Sequence, residues 1–159
     1  MFETPNWLTL SDDYYLALGR LVVASSHLES TVFRRVALLI DFWDEFDDGG
    51  PTMLVLGTMN FSTALPLLGK LADLSKSESD LPALKGWIAR AKTAMENRNR
   101  FVHWEWYRDD DEPGTAYIQA IRRKGLEGQD GVTAADVDRV TSELLEISAA
   151  LTTIQIKKP

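Results

Sequence analysis

The chain contains no cysteine and only two histidines among its 159 residues. The lack of cysteine excludes disulfide bonds, thiolate zinc sites and cysteine nucleophiles. Two histidines are too few for a histidine-rich metal site, and no acidic cluster has the ligand spacing of a calcium loop. The sequence therefore predicts neither a metal ion nor a cofactor.

Long apolar runs and basic charge are also scarce. No run of about 18 apolar residues occurs, so no membrane-spanning helix is expected. The first residues, Met1 to Asn6, lack the basic and apolar regions of a signal peptide, which makes the cytoplasm the expected location. The formal net charge of −7 argues against duplex DNA or an anionic membrane as a partner. It is compatible with a small, locally basic cleft that binds RNA.

Four amphipathic segments account for most of the apolar residues. With 45% hydrophobic and 26% charged residues, the chain is expected to form one domain over residues 1–159. Apolar residues recur with a period of 3.6, which predicts helices over about 11–45, 62–76, 81–103 and 133–153. Ser11, Pro82 and Thr133 are residues typical of helix starts.

After His103 the periodicity changes to that of strands. Trp104–Tyr107 and Thr115–Ile121 are rich in aromatic and β-branched residues, and the acidic turn Asp109–Gly114 separates them. The glycine-rich segment from Arg122 to Gly131 is predicted to be a loop. The fold class predicted is all-α: an up-and-down-like four-helix bundle with a small β-hairpin inserted before the last helix.

The most specific motif is Arg98-Asn99-x3-His103, at the end of the third predicted helix. An Arg followed by a His five residues later is a weak signal. With Asn directly after the Arg, the pattern is expected by chance in roughly three of a thousand chains of this composition. Arg98, Asn99 and His103 are therefore the candidate catalytic residues.

The helical faces give this motif a context. At about 100° per residue, Arg98 lies near the centre of the apolar stripe of its own helix, where a charge is costly unless it is paired or faces water. Asn99 and His103 are i, i+4 neighbours at the edge of that stripe. On the first helix, Ser25 and Glu29 lie inside the apolar stripe. We therefore predict that both support Arg98, with Glu29 as its ion-pair partner.

The Arg-Asn-x3-His pattern at the end of a long helix resembles the signature of the HEPN superfamily. Many members of that family are metal-independent endoribonucleases, often toxins or antiviral effectors, and others are not catalytic. The resemblance implies that Arg98, Asn99 and His103 form the site. It also implies a homodimer through the motif-bearing helix with both motifs facing one cleft, an RNA substrate, and a cognate antitoxin protein as a further partner.

These three side chains match the chemistry of metal-independent RNA cleavage. Histidine ordinarily titrates near neutral pH, so His103 suits the proton transfers to and from the RNA. The forked guanidinium of Arg98 suits the charge of a pentavalent phosphate, and Asn99 can orient the phosphate or the imidazole. The sequence predicts cleavage of single-stranded RNA by attack of the 2′-hydroxyl group.

Two other functions remain open at the level of sequence. One is a non-catalytic, HEPN-like dimeric module that binds a nucleotide or a protein partner. The other is a structural helical protein in which the motif arose by chance, with Arg98 and Glu29 as a purely structural ion pair and His103 as a helix end. Trp104 and Trp106 are more typical of packing than of RNA stacking. Two motifs that face each other across a dimer cleft, with His103 exposed, would favour the enzyme. A sealed Glu29–Arg98 pair with His103 on the outer surface would favour the module.

Overall fold

A computed structural model describes residues 10–40, 57–74, 80–108, 115–122 and 125–155. Most of these residues are helical. The elements, in chain order, are α1 (Asp12–Ile40), α2 (Phe61–Leu74), α3 (Leu81–His103), β1 (Glu105–Arg108), β2 (Ala116–Arg122), β3 (Gly125–Val132) and α4 (Ala134–Thr153). This arrangement confirms the predicted class, a helical fold with antiparallel strands inserted before the last helix.

The helices begin where residues that cap them occur. Helix α1 starts directly after Ser11, and α3 has the bounds that its periodicity predicts. Helix α2 starts one residue earlier than expected because Asn60 caps it: the Asn60 side-chain oxygen accepts a hydrogen bond from the backbone N–H of Thr63, at 3.0 Å. The predicted end of α1 near residue 45 lies outside the described residues.

The contacts divide the chain into two compact units. The first comprises Met1–Ser25 and Ala94–Glu143, and the second comprises Ser26–Thr93 and Leu144–Pro159. Helices α1, α3 and α4 each contribute residues to both units. The single domain over residues 1–159 stays a prediction.

In the first unit, Tyr14 joins the start of α1 to the sheet. Its buried hydroxyl donates a hydrogen bond to the Val132 carbonyl at 2.7 Å and accepts one from the Ala116 backbone N–H at 3.1 Å. Trp106 of β1 packs edge-on against the Tyr14 ring, with 5.9 Å between ring centroids. Trp106 is paired with the buried Ile118 of β2. One tyrosine thus holds the sheet against the first turns of α1.

The segment predicted to be a loop after β2 is a strand, and that prediction is wrong. Strand β3 pairs antiparallel with β2, from Ala116↔Val132 to Arg122↔Gly125, with a register shift between Gln119 and Ala120. Its glycines give it a low strand propensity. Ladder hydrogen bonds come from the main chain, however, so an edge strand can form on β2 without favourable side chains. The sheet order is β1-β2-β3.

In the second unit, Trp87 joins α3 to α4. The nearly fully buried indole donates a hydrogen bond to the Ile147 carbonyl at 2.7 Å. Helices α2 and α3 approach closely at Gly69, where an added Cβ would lie 3.2 Å from Ile88 Cδ1. Arg35 Nη2 of α1 donates to the Ile154 carbonyl just beyond the end of α4, at 2.9 Å.

None of the described helices combines the length and the hydropathy needed to cross a lipid bilayer. Their outer faces carry many polar residues, as the 3.6-residue periodicity implies.

Candidate catalytic site

Arg98 lies in the last two turns of α3, within the first unit, and its guanidinium is held by two acceptors. Arg98 Nε donates a hydrogen bond to Ser25 Oγ of α1 at 3.2 Å. Arg98 Nη1 donates to Asn99 Oδ1 at 3.0 Å. Two contacts from different directions fix the plane of the guanidinium better than either would alone.

Ser25 is the residue of α1 that accepts a hydrogen bond from Arg98. It is fully buried, and its hydroxyl donates a hydrogen bond to the Val22 carbonyl at 2.9 Å. This bond uses the only hydroxyl hydrogen, so the oxygen lone pairs remain for the Arg98 N–H group. The predicted supporting residue Ser25 is therefore brought to the site, as an acceptor with a fixed orientation.

Arg98 is half-buried, so it is neither sealed in the core nor fully exposed. Two of its five N–H groups bond to Ser25 and Asn99, and the other three make no hydrogen bond with the described residues. A guanidinium that is held on one side and open to solvent on the other can receive a phosphate.

Asn99 and His103 are both exposed, one turn apart on α3. The Asn99 carbonyl oxygen accepts the Arg98 hydrogen bond, which leaves the Asn99 amide N–H groups directed elsewhere. His103 is the last residue of α3, and its imidazole makes no hydrogen bond with the described residues. Within the described part of the chain, both imidazole nitrogens are therefore unbonded and could take part in proton transfer.

Glu29 lies one turn beyond Ser25 on α1, in the second unit, and is partly buried. The partner that the structure shows for Arg98 on α1 is Ser25, and the ion pair with Glu29 stays a prediction. His27 is exposed. At about 100° per residue it lies about 200° around α1 from Ser25, on the face away from Ser25.

The two tryptophans after the motif have different environments. Trp106 is held by packing: its indole N–H donates to the Phe101 carbonyl at 2.7 Å, and its ring contacts Tyr14 and Phe101. Trp104 lies under Arg100, whose guanidinium carbon is 4.9 Å from the ring centroid. Arg100 is not part of the Arg98-Asn99-x3-His103 motif, although a second Arg two residues after Arg98 is a visible signal in the sequence. The side chains of Arg122, Arg123 and Lys124 lie outside the described set.

The described residues contain no group of three or more His, Asp or Glu side chains placed to bind a metal ion. The site thus consists of a positioned guanidinium, an amide and an exposed imidazole. No protein-family model matches the chain, and neither a curated protein nor a solved structure is significantly similar to it.

Proposed function

We propose that the protein is a HEPN-like endoribonuclease that cleaves single-stranded RNA without a metal ion. The observation that carries the proposal is the Arg98 guanidinium, about one and a half turns of α3 before the exposed His103. Ser25 and Asn99 hold it, while three of its N–H groups make no hydrogen bond with the described residues. Arg98 would bind the scissile phosphate and stabilise the added negative charge in the transition state.

His103 would carry the proton transfers. A neutral imidazole takes the proton of the 2′-hydroxyl, the 2′ oxygen attacks phosphorus, and the bond to the 5′ oxygen breaks as that oxygen receives a proton. The products are a 2′,3′-cyclic phosphate and a 5′-hydroxyl end. One imidazole would serve as base and then as acid, or two copies of His103 would act together in a homodimer. A toxin or defence role, with a cognate antitoxin as partner, belongs to the same proposal.

The test is cleavage of mixed single-stranded RNA by the purified chain in EDTA. The expected product carries a 2′,3′-cyclic phosphate. Substitutions His103→Ala and Arg98→Ala should each lower the cleavage rate by at least about 100-fold, since each removes acid–base or electrostatic catalysis. Circular dichroism of each variant checks that it is folded.

His27→Ala is the matched control, because His27 is the other histidine and is exposed on a different face. It should retain the wild-type rate. Full activity in folded His103→Ala would contradict the catalytic role of this residue. A wild-type chain that is inert on every RNA would favour the non-catalytic module that binds a nucleotide or a protein.

A further inference from the structure

An aromatic groove opens beside the candidate catalytic site, within the first unit. Its volume is about 540 Å³, inside the range of roughly 300–1,000 Å³ that is usual for small-molecule sites. Its walls include Tyr15, Val22, Val102, Trp104, Glu105 and Trp106. Apolar and aromatic side chains dominate, and Glu105 is the one charged residue among the described residues that line it.

The groove adjoins the candidate site through two helices. Val22 of α1 lines the groove, and Ser25 lies one turn further along the same helix. Val102 of α3 lines the groove, and Arg98 lies one turn earlier on that helix. The Arg98–Ser25 hydrogen bond therefore joins residues that lie one helical turn from two wall residues, and His103 comes between Val102 and Trp104 in the chain.

The chemistry of the walls fits a nucleobase better than a phosphate. Aromatic rings stack on any base, whereas no cation among the described wall residues would bind a phosphate. The phosphate ligand in this inference is Arg98, whose Cα lies only about 7.5 Å along the α3 axis from that of His103, the residue before Trp104.

Glu105 gives the groove a preference among bases. It is exposed at the start of β1, and its carboxylate makes no hydrogen bond or ion pair with the described residues. A carboxylate offers two acceptors and no donor. Guanine presents two adjacent donors, N1–H and N2–H, on its Watson–Crick edge. Adenine, cytosine and uracil have no two adjacent donors on that edge, so one carboxylate oxygen would face an acceptor instead of a donor.

We infer that this groove holds the base next to the cleaved bond and that Glu105 makes it selective for guanine. The inference rests on the proposed function, because it takes Arg98 as the phosphate ligand. It predicts a nucleotide site with two separable parts: stacking on Trp104 without base preference, and base selection by Glu105.

The test is binding of the four nucleoside 3′-monophosphates to the full-length chain, measured by isothermal titration calorimetry in EDTA at constant ionic strength. Guanosine 3′-monophosphate should bind at least about tenfold more tightly than the other three, the scale of a paired hydrogen-bond contact to a base. Glu105→Gln should abolish this preference and strengthen adenosine 3′-monophosphate binding, because the amide offers a donor to adenine N1 where the carboxylate offers none. Trp104→Ala should weaken all four nucleotides alike.

Glu146→Gln is the matched control, since it removes one exposed carboxylate from the second unit. It should change none of the affinities. Equal binding of all four nucleotides, or a guanine preference that survives Glu105→Gln, would overturn the inference. So would a groove that binds no nucleotide because a second copy of the chain fills it.

Cleavage of RNA by the same preparation separates this inference from the proposed function. RNA cleavage that requires His103 but shows no guanine preference, by a chain that binds none of the four nucleotides, would contradict the guanine site. It would still support the endoribonuclease. If the chain binds guanosine 3′-monophosphate selectively but cleaves no RNA, the endoribonuclease proposal is contradicted and the groove is a guanine-nucleotide site without that activity.

Discussion

At the scale of single residues, a guanidinium inside an apolar stripe needs acceptors that do not move. Ser25 is one such acceptor, since it is fully buried and its hydroxyl is already bonded to the Val22 carbonyl. Substitution of Ser25 by Ala leaves Arg98 Nε without this partner. We expect a loss of about 1 kcal/mol in the free energy of unfolding, measured by urea denaturation. The RNA cleavage rate should fall about tenfold, as the phosphate ligand loses its orientation.

Ser148→Ala is the matched control for Ser25→Ala. Ser148 is also buried, and its hydroxyl bonds to the Leu144 carbonyl of its own helix, far along the chain from the motif. It should lower stability by a similar amount and leave the cleavage rate unchanged. A Ser25→Ala variant with the wild-type rate would show that Ser25 does not position Arg98.

Helical periodicity alone cannot decide whether Glu29 or Ser25 is the partner of Arg98. Ser25 and Glu29 lie one turn apart in the same apolar stripe, so periodicity predicts that both support Arg98 but cannot rank them. A sealed Glu29–Arg98 pair would make Glu29→Ala cost about 3–5 kcal/mol. Because Arg98 is partly exposed and bonded to Ser25, we expect at most about 1 kcal/mol in the same urea experiment.

At the scale of secondary structure, the start of α4 is set by a reciprocal cap. The Asp136 backbone N–H donates to the Thr133 hydroxyl at 3.2 Å, and the Thr133 backbone N–H donates to Asp136 Oδ2 at 2.9 Å. The Thr133 hydroxyl also donates to Oδ2 at 2.7 Å. The bonds from the Thr133 hydroxyl and backbone N–H, with Arg139 nearby, hold the pKa of Asp136 below its ordinary value of 3.8.

Removal of this cap by Thr133→Ala should lower the free energy of unfolding by about 1 kcal/mol at pH 7. Folding favours the Asp136 carboxylate, so its contribution is complete above the ordinary pKa and is lost as the pH falls through the lower folded value. The difference between wild type and variant should therefore shrink below about pH 4. Urea denaturation across pH measures this. Thr133→Ser should behave like wild type, and a pH-independent difference would contradict the link to Asp136.

The bounds of helix α3 could be predicted from the sequence, whereas the formation of strand β3 could not. Helix α3 keeps its 3.6-residue period throughout, although Arg98 lies within the apolar stripe. With Pro82 near its start and a change of period after His103, its bounds could be predicted from the sequence. Strand β3 has no such signal, because Gly125, Gly128 and Gly131 are residues that strands avoid. Its formation depends on main-chain bonds to β2, which no local pattern reveals.

At the scale of the whole molecule, the acidic balance of the chain contrasts with an apolar surface on α1. Leu16 is 59% exposed and Val23 is 70% exposed. They lie on one face of α1, on either side of Gly19, where an added Cβ would meet nothing within 4 Å. A small residue between two exposed apolar ones allows another helix to approach closely. This face belongs to the same unit as Arg98 and His103.

The homodimer predicted from the motif can be tested on this face. If two copies form the shared cleft, we expect the surface buried between them to extend from the end of α3 to Val23 of α1. A stable interface needs about 800 Å² from each partner. The wild-type chain should then be a dimer by light scattering at micromolar concentration. Val23→Asp should shift it toward monomer, because the carboxylate would be desolvated in the interface.

Leu74→Asp is the control, since Leu74 is 65% exposed on α2, in the other unit, and should leave the mass unchanged. A wild-type monomer would contradict the dimer, and a dimer that survives Val23→Asp would exclude this face of α1 from the interface. Loss of RNA cleavage together with the dimer would show that the two His103 side chains act in one cleft.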